Sequence, residues 1–166
     1  MSGSDNERVL DIGCGAYPYF LTKLNFKEKY GIDQSAAKKI PGVDLKQIDF
    51  KDSPLPWSDN YFDAITMLAV IEHLDVETAK KLLKDIYRLL KPGGRLVITT
   101  PSSGADKLLR LLAKMKLISS EEINDHKQFY TKKLIREQLI ESGWSNESIS
   151  IGYFQIAYNI WALAKK

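Results

Sequence analysis

Short, nearly uninterrupted apolar runs alternate along this chain with longer stretches whose apolar residues recur every three or four positions. Runs of the first kind read as buried strands and stretches of the second as amphipathic helices. Their order predicts a mostly parallel sheet with crossover helices on both faces. Strands are expected at 7–12, 28–33, 44–49, 62–68, 94–100, 147–154 and 156–164, with a crossover helix over 16–28. Asp75 stands where it can cap a helix whose stripe of Ala79, Leu82, Leu83, Ile86, Leu89 and Leu90 stops at Pro92-Gly93. Thr131 likewise precedes Leu134, Ile135, Leu139 and Ile140, with Gly143 as the stop. The last two apolar runs, Ile149 to Phe154 and Ile156 to Leu163, have too little chain between them for a crossover helix, so they should pair antiparallel. The expected fold is α/β: a doubly wound, seven-stranded, mostly parallel sheet with an antiparallel C-terminal hairpin.

The first strand runs directly into a glycine turn, Val9-Leu10-Asp11-Ile12-Gly13-Cys14-Gly15, and the second ends on Asp33, eighteen residues beyond Gly15. Glycines let a backbone turn tightly and approach a ligand closely. An acidic side chain at the end of the neighbouring strand can accept hydrogen bonds from both hydroxyls of a ribose. Two nucleotide classes are disfavoured by residue type. A dinucleotide fingerprint needs a glycine at position 18, where Pro18 stands, and the turn carries no Lys or Thr of the kind that holds a triphosphate. The antiparallel hairpin also argues against a dinucleotide domain, which ends on a parallel strand.

What remains resembles motif I of the class I S-adenosylmethionine-dependent methyltransferases, and Asp11, Gly13 and Gly15 match it. Many members carry a third glycine where Tyr17 stands, so the turn should be more crowded near the ligand. The resemblance continues in order through Asp33, through Asp49 in Gln47-Ile48-Asp49-Phe50, through the fourth strand Asp63 to Leu68, and through Leu90-Lys91-Pro92-Gly93-Gly94-Arg95 leading into strand five. It spans about residues 8 to 165 and implies a Rossmann-like fold with S-adenosyl-L-methionine as cofactor. It also implies binding roles. The turn Gly13-Cys14-Gly15, with Asp11, would meet the methionine end, Asp33 the ribose and Asp49 with Phe50 the adenine, with Gln34 and Leu68 as further cofactor-binding positions. Asp11 can also be read as an acid that only satisfies loop N–H groups. Cys14 reads as a small buried filler and not as a nucleophile.

Methyl transfer from a sulfonium is an in-line displacement, so alignment and exclusion of water matter more than obligatory catalytic side chains. Three residues are candidates for moving the acceptor's proton. His73 follows the fourth strand in Ile71-Glu72-His73-Leu74, and it serves either as a base or as a brace for the helix beginning near Asp75. His126 and Tyr130 precede the next helix in Asp125-His126-Lys127-Gln128-Phe129-Tyr130. Between them, residues 104–118 pair an apolar stripe of Leu108, Leu111, Leu112 and Met115 with Lys107, Arg110 and Lys114. That helix is open to three readings: a lid over the site, ordinary packing, or contact with an anionic membrane surface, the lid being placed ahead of membrane contact. Trp57, in a proline-rich turn, is expected to shape the adenine pocket.

Composition narrows this further. The chain has 166 residues, 44% of them hydrophobic, enough for one methyltransferase domain over 1–166 with a minimal region before the first strand. Its 24 basic and 21 acidic residues leave a net charge of +3, too balanced to suggest a nucleic-acid partner. A lone cysteine and two distant histidines suggest neither a disulfide nor a metal site, and without a leader or spanning segment the cytoplasm is the expected compartment. The expected acceptor is a small molecule, as in the ubiquinone and menaquinone methyltransferases the chain resembles. A protein or nucleic-acid acceptor, or a binding module without turnover, are the alternatives. No Asn/Asp-Pro-Pro-Tyr-type motif follows the fourth strand, which disfavours methylation of base amino groups.

Overall fold

The computed structural model describes residues 7–35, 38–49, 54–103, 128 and 130–166. Among these, seven strands form one sheet in the order β3-β2-β1-β4-β5-β7-β6. The strands are β1 (Arg8–Ile12), β2 (Glu28–Asp33), β3 (Asp44–Gln47), β4 (Phe62–Leu68), β5 (Leu90–Pro101), β6 (Ile149–Phe154) and β7 (Asn159–Lys165). The helices are α1 (Tyr19–Lys23), α2 (Val76–Leu89) and α3 (Lys132–Glu141). Strands β3, β2, β1, β4 and β5 are parallel, and β7 runs antiparallel to both β5 and β6. The expected Rossmann-like layout with its reversed C-terminal hairpin is the one observed.

Strand alternation divides the core into two layers. Leu10 lies beside Ile65 and Ile12 beside Met67. These residues face the α2 and α3 side, where Leu82, Leu83, Ile86, Ile135 and Leu139 close over them. Val9 lies beside Ala64 and faces the other way, onto Leu21, Leu24 and Phe26 around α1. Helix α2 begins as its sequence requires: the Asp75 carboxylate accepts the Thr78 backbone N–H at 2.9 Å, and the Thr131 hydroxyl accepts the Leu134 N–H at 3.1 Å to start α3.

Several boundaries differ from the sequence expectation. The helix expected over 16–28 is five residues long. Pro18 cannot continue a helix from upstream, and Leu24 returns to extended backbone, so that Leu24 and Phe26 both reach the apolar layer beneath β1. Strand β5 begins at Leu90, not 94. Phe62 pairs with Leu90 and Ala64 with Arg95, so Lys91 to Gly94 form a bulge opposite Asp63, whose carboxylate takes the Lys91 ammonium at 2.7 Å. The turn therefore sits inside the strand, while α2 ends at Leu89 by extension of Leu90. Strand β3 stops at Gln47, two residues short of 49. A 3₁₀ turn at Asn146–Ser148 delays β6 to Ile149.

The β6–β7 connection occupies residues 155–158, and β7 starts at Asn159 instead of 156. Gln155, Ile156 and Ala157 have φ of 51°, 56° and 65°, in the left-handed region. The Tyr158 N–H closes the turn on the Gln155 carbonyl at 3.2 Å. Such a turn normally uses Gly or Asn; with other residues each left-handed position costs about 1–2 kcal/mol. Ser102 anchors it to the end of β5, its N–H donating to the Tyr158 carbonyl and its hydroxyl to the Ala157 carbonyl, both at 2.8 Å.

Trp57 does not follow its expected role. Its ring stands edge-on to Tyr30 and Phe62, with centroids at 6.0 and 5.3 Å, so it packs half-buried against the core at the amino-terminal end of β4. The Arg88 guanidinium holds this loop, donating to the carbonyls of Trp57 at 2.8 Å and Leu55 at 3.2 Å.

Candidate cofactor site

The sheet order reverses at β1: the chain moves outward through β2 and β3 on one side and resumes with β4 on the other. A crevice at the carboxyl ends of the strands follows from that reversal. The glycine turn leaves β1 at this point, and the N–H groups of Gly13 and Cys14 both donate to the Ile32 carbonyl, at 2.8 and 3.1 Å. Asp33 then ties the turn to the next loop. One carboxylate oxygen accepts the Gly15 N–H at 2.9 Å and the other the Ser35 N–H at 2.8 Å. A carboxylate has about four acceptor positions, so two backbone donors leave capacity for two more.

The two glycines meet different surroundings. Both have φ of 71°, which disfavours any side chain. A methyl group on Gly13 would come within 2.3 Å of Val70 Cγ2, whereas one on Gly15 would meet nothing within 4 Å. Gly13 is thus closed in by protein, and Gly15 presents its backbone to open space. Val70 reaches Gly13 because Ala69, with φ of 55°, turns the chain sharply after Leu68. Tyr17, in place of a third glycine, is exposed.

Asp11 is buried beneath the turn and accepts the Thr66 hydroxyl at 2.6 Å. Burial pushes its carboxyl up to about 6; the Thr66 hydrogen bond opposes this, and the charge of Asp33 adds to it. Cys14 lies against Gly31, whose added Cβ would fall 2.9 Å from the sulfur. Burial first, then the charges of Asp11 and Asp33, push its thiol up to about 12, which disfavours the nucleophilic thiolate.

Gln34 is exposed after β2, and its carbonyl accepts the Gln47 amide at 3.1 Å. Asp49 is exposed two residues beyond β3, which the Ile48 N–H joins to the Asp33 carbonyl at 3.0 Å. Leu68 is half-buried at the end of β4. Asp11, Gly13, Cys14, Gly15, Asp33, Gln34, Asp49 and Leu68 are thereby placed at the carboxyl ends of four neighbouring strands. Phe50, His126 and the segment 104–118 lie outside the described residues.

His73 ends a 3₁₀ turn, Ile71–His73, just past β4, and is half-buried at the same edge. Glu72 points inward: it is buried, accepts the Thr100 hydroxyl at 2.9 Å, and its carbonyl takes the Gln128 N–H at 3.2 Å. Tyr130 is fully enclosed, its hydroxyl 3.3 Å from Gln128 Oε1. Burial, reinforced by the charge of Glu72, raises its phenol well above the ordinary tyrosine value. Sequence reasoning missed Thr66, Val70, Ser35 and Thr100. Thr66 carried a readable signal, a hydroxyl in the apolar strand Ala64 to Leu68; the others became visible only through contacts between distant segments.

A reversed sheet order, a glycine turn and an acid ending the adjacent strand define a nucleotide-binding α/β protein of the doubly wound class. Residues 2–149 match the family model described as a methyltransferase domain, and the chain belongs to the class I S-adenosylmethionine-dependent methyltransferases. Over 146 residues it is 28% identical to the demethylmenaquinone methyltransferase of Lactobacillus johnsonii, covering 76% of this chain and 58% of that protein. The chain spans about half to two thirds of the length of the curated relatives it matches. The backbone resembles a putative methyltransferase of Haloferax volcanii solved in complex with the Trm112 methyltransferase activator. There the TM-score is 0.75 at 14% identity, over 96% of this chain and 82% of that one. An S-adenosylmethionine-dependent methyltransferase from Archaeoglobus fulgidus gives 0.71 at 19%, over 97% and 86%. At these identities the structural likenesses show the fold alone.

Proposed function

We propose that this chain binds S-adenosyl-L-methionine at the carboxyl edge of β1, β2 and β4 and methylates an oxygen, nitrogen or carbon of a small-molecule acceptor. The observation that carries the reading is Asp33, whose carboxylate orders the glycine turn through Gly15 and keeps unused acceptor positions at the sheet edge. The residues present fit the cofactor on three counts. Gly15 leaves open space for a ligand to approach its backbone, Asp33 retains capacity for ribose hydroxyls, and buried Asp11 supplies negative charge near the turn for an ammonium group. When bound, the cofactor supplies an electrophilic methyl on a sulfonium.

The chain's own residues then have limited tasks. Asp33 and the Gly13–Gly15 turn hold and orient; Asp49 and Leu68 bound the adenine side. His73, at the open end of β4, takes the proton that the acceptor releases, whereas the enclosed, proton-retaining Tyr130 is suited to bracing this edge. A small-molecule acceptor is favoured by the identity to the demethylmenaquinone enzyme over three quarters of the chain. The Haloferax complex motivates a control with protein acceptors or a partner.

Incubation of the chain with methyl-labelled cofactor and cell extract, followed by separation into small-molecule, protein and nucleic-acid fractions, tests the proposal. Label in the small-molecule fraction, lost on His73→Gln with binding of S-adenosylhomocysteine retained, is expected. Label confined to protein or nucleic acid refutes the acceptor class.

A further inference from the structure

Among the described residues the buried acid of β1 has no counter-charge. Asp11 stands between Gly31 of β2 and Thr66 of β4, on the face of the sheet that carries Val9 and Ala64 against Leu21, and only 4% of it is exposed. The cations of the surrounding elements are engaged elsewhere. Arg8 pairs with Glu28, Lys23 lies 4.8 Å from the centre of the Tyr19 ring, and Lys29 stands beside Val9, two positions further from the glycine turn. Asp63, the charged residue of β4, takes Lys91 at the far end of that strand. The titratable groups that bear on Asp11 are Asp33, whose charge opposes its ionisation, and the Cys14 thiol, which stays protonated.

One group offsets the cost of a charge in this place. The Thr66 hydroxyl, itself buried, donates to Asp11 Oδ1 at 2.6 Å, with the Leu10 carbonyl as a poorer acceptor at 3.4 Å. That bond serves the carboxylate better than the acid. Toward a carboxylate the hydroxyl makes a charge-assisted hydrogen bond, roughly twice as strong as a neutral one; toward a protonated Asp11 it must accept the acid's O–H and turn its own proton to Leu10. The difference corresponds to about one pH unit in the Asp11 carboxyl. Burial pushes that carboxyl up to about 6, and the Thr66 bond is what keeps it from rising further. Oδ2 takes no hydrogen bond among the described residues, so the carboxylate keeps one face for a cation.

We propose that Thr66 is a positioning residue for cofactor binding: its hydroxyl fixes Asp11 Oδ1 and keeps the carboxylate charged, so that Oδ2 receives the ammonium of the cofactor's amino-acid end. Thr66 meets no ligand and acts through Asp11. The inference rests on the cofactor reading and adds to it the residue that sets the pH range in which the amino-acid end is held. Below that range binding must expel the Asp11 proton to solvent, and affinity falls by up to about tenfold per pH unit.

The test is titration calorimetry between pH 5 and 8 with S-adenosylhomocysteine and with 5′-methylthioadenosine, a thioether nucleoside that lacks the amino-acid end. Thr66→Val and Thr66→Ala remove the hydroxyl, whereas Thr66→Ser keeps it. For S-adenosylhomocysteine, Val and Ala are expected to raise the pH midpoint of affinity by about one unit, a loss of about fivefold at pH 6 that vanishes by pH 8. Ser is expected to retain the unsubstituted midpoint even where it melts lower. Methylthioadenosine should bind with one affinity at every pH in all four chains. Melts without ligand read the Thr66–Asp11 link by itself: the stability that the unsubstituted chain loses as pH rises to about 6 should go on falling for about one further unit in Val and Ala. An unmoved midpoint in Val and Ala, a uniform loss at all pH, or a Ser variant that shifts with them overturns the role of Thr66 and leaves the cofactor reading standing. A shift shared by methylthioadenosine overturns it too, since the titration would then not concern the ammonium. Failure of the unsubstituted chain to bind either ligand removes the cofactor reading, and this inference with it, whatever the melts show.

Discussion

Gly13 and Gly15 share one backbone conformation and have opposite surroundings, so the same substitution at each should fail differently. Alanine at either position places a side chain at φ near 71°, a cost of about 1–2 kcal/mol. At Gly13 the new methyl also falls 2.3 Å from Val70 Cγ2 and 3.4 Å from Val70 Cβ. Valine is stiff about χ1, so relief requires shifting the β4 extension, an overpacking cost of about 1–3 kcal/mol. Gly13→Ala should therefore lose about 2–5 kcal/mol, a fall in Tm of roughly 5–20 °C for a chain of this size, and Gly15→Ala only the first part, roughly 2–8 °C. Binding should show the reverse order. Gly15→Ala puts its methyl where the cofactor approaches, and affinity for S-adenosylhomocysteine should drop about tenfold to a hundredfold while the fold survives. Thermal denaturation and isothermal titration read the two quantities on the same samples. A double-mutant cycle sharpens the test: Gly13→Ala with Val70→Ala should lose less stability than the two single changes summed. Additive losses would show that Val70 does not close on Gly13. Unaltered affinity in Gly15→Ala would show that no ligand passes there.

Three further outcomes follow from the same geometry. Because burial raises the Asp11 carboxyl from 3.8 to about 6, the folded state holds that proton more tightly than the unfolded state does. Its contribution to stability is present below pH 4 and lost as pH rises to about 6, leaving the chain about 2–3 kcal/mol weaker at neutral pH than with a neutral group there. Asp11→Asn should remove that slope in melts between pH 4 and 7 and melt higher at pH 7; a slope that persists places the titration elsewhere. Asp33→Asn sets an amide donor against a backbone N–H now accepted at 2.8 or 2.9 Å, so stability should fall by about 1–3 kcal/mol and affinity for S-adenosylhomocysteine at least tenfold. Calorimetry showing wild-type affinity would refute its ribose role. Tyr130→Phe removes a hydrogen bond in an enclosed site and should cost about 1 kcal/mol with kcat changed less than about threefold. A tenfold loss of kcat with an altered pH profile would instead put its hydroxyl at the reacting atoms.

The strand pattern, the caps at Asp75 and Thr131, the antiparallel hairpin and the paired signals of the glycine turn and Asp33 were all legible in the chain. Each depends on near neighbours: alternation within a strand, a side chain three residues from the N–H it caps, a crossover too short to hold a helix. The errors arose where distant segments decide. Lys91 to Gly94 read as a turn between helix and strand, yet pairing with Phe62 and Ala64 absorbs them into β5 as a bulge. Trp57 read as packing that shapes the adenine pocket, yet it lies half-buried against Tyr30 and Phe62 at the amino-terminal end of β4. Gln155 to Ala157 contain no residue that marks a turn, and Ser102, more than fifty positions away, helps hold them in one.

The linear order of residues therefore determined that this chain forms a doubly wound sheet and that a glycine turn and Asp33 meet at its carboxyl edge, because short-range periodicity and turn chemistry act locally. Tertiary structure alone decided what those residues do. Val70 makes Gly13 indispensable to packing while Gly15 stays open, Thr66 and burial together set the charge state of Asp11, and Glu72 turns inward to Thr100 as Tyr130 is enclosed beside it. Such properties depend on distance and desolvation among residues far apart in the chain, and these exist only once the sheet has closed.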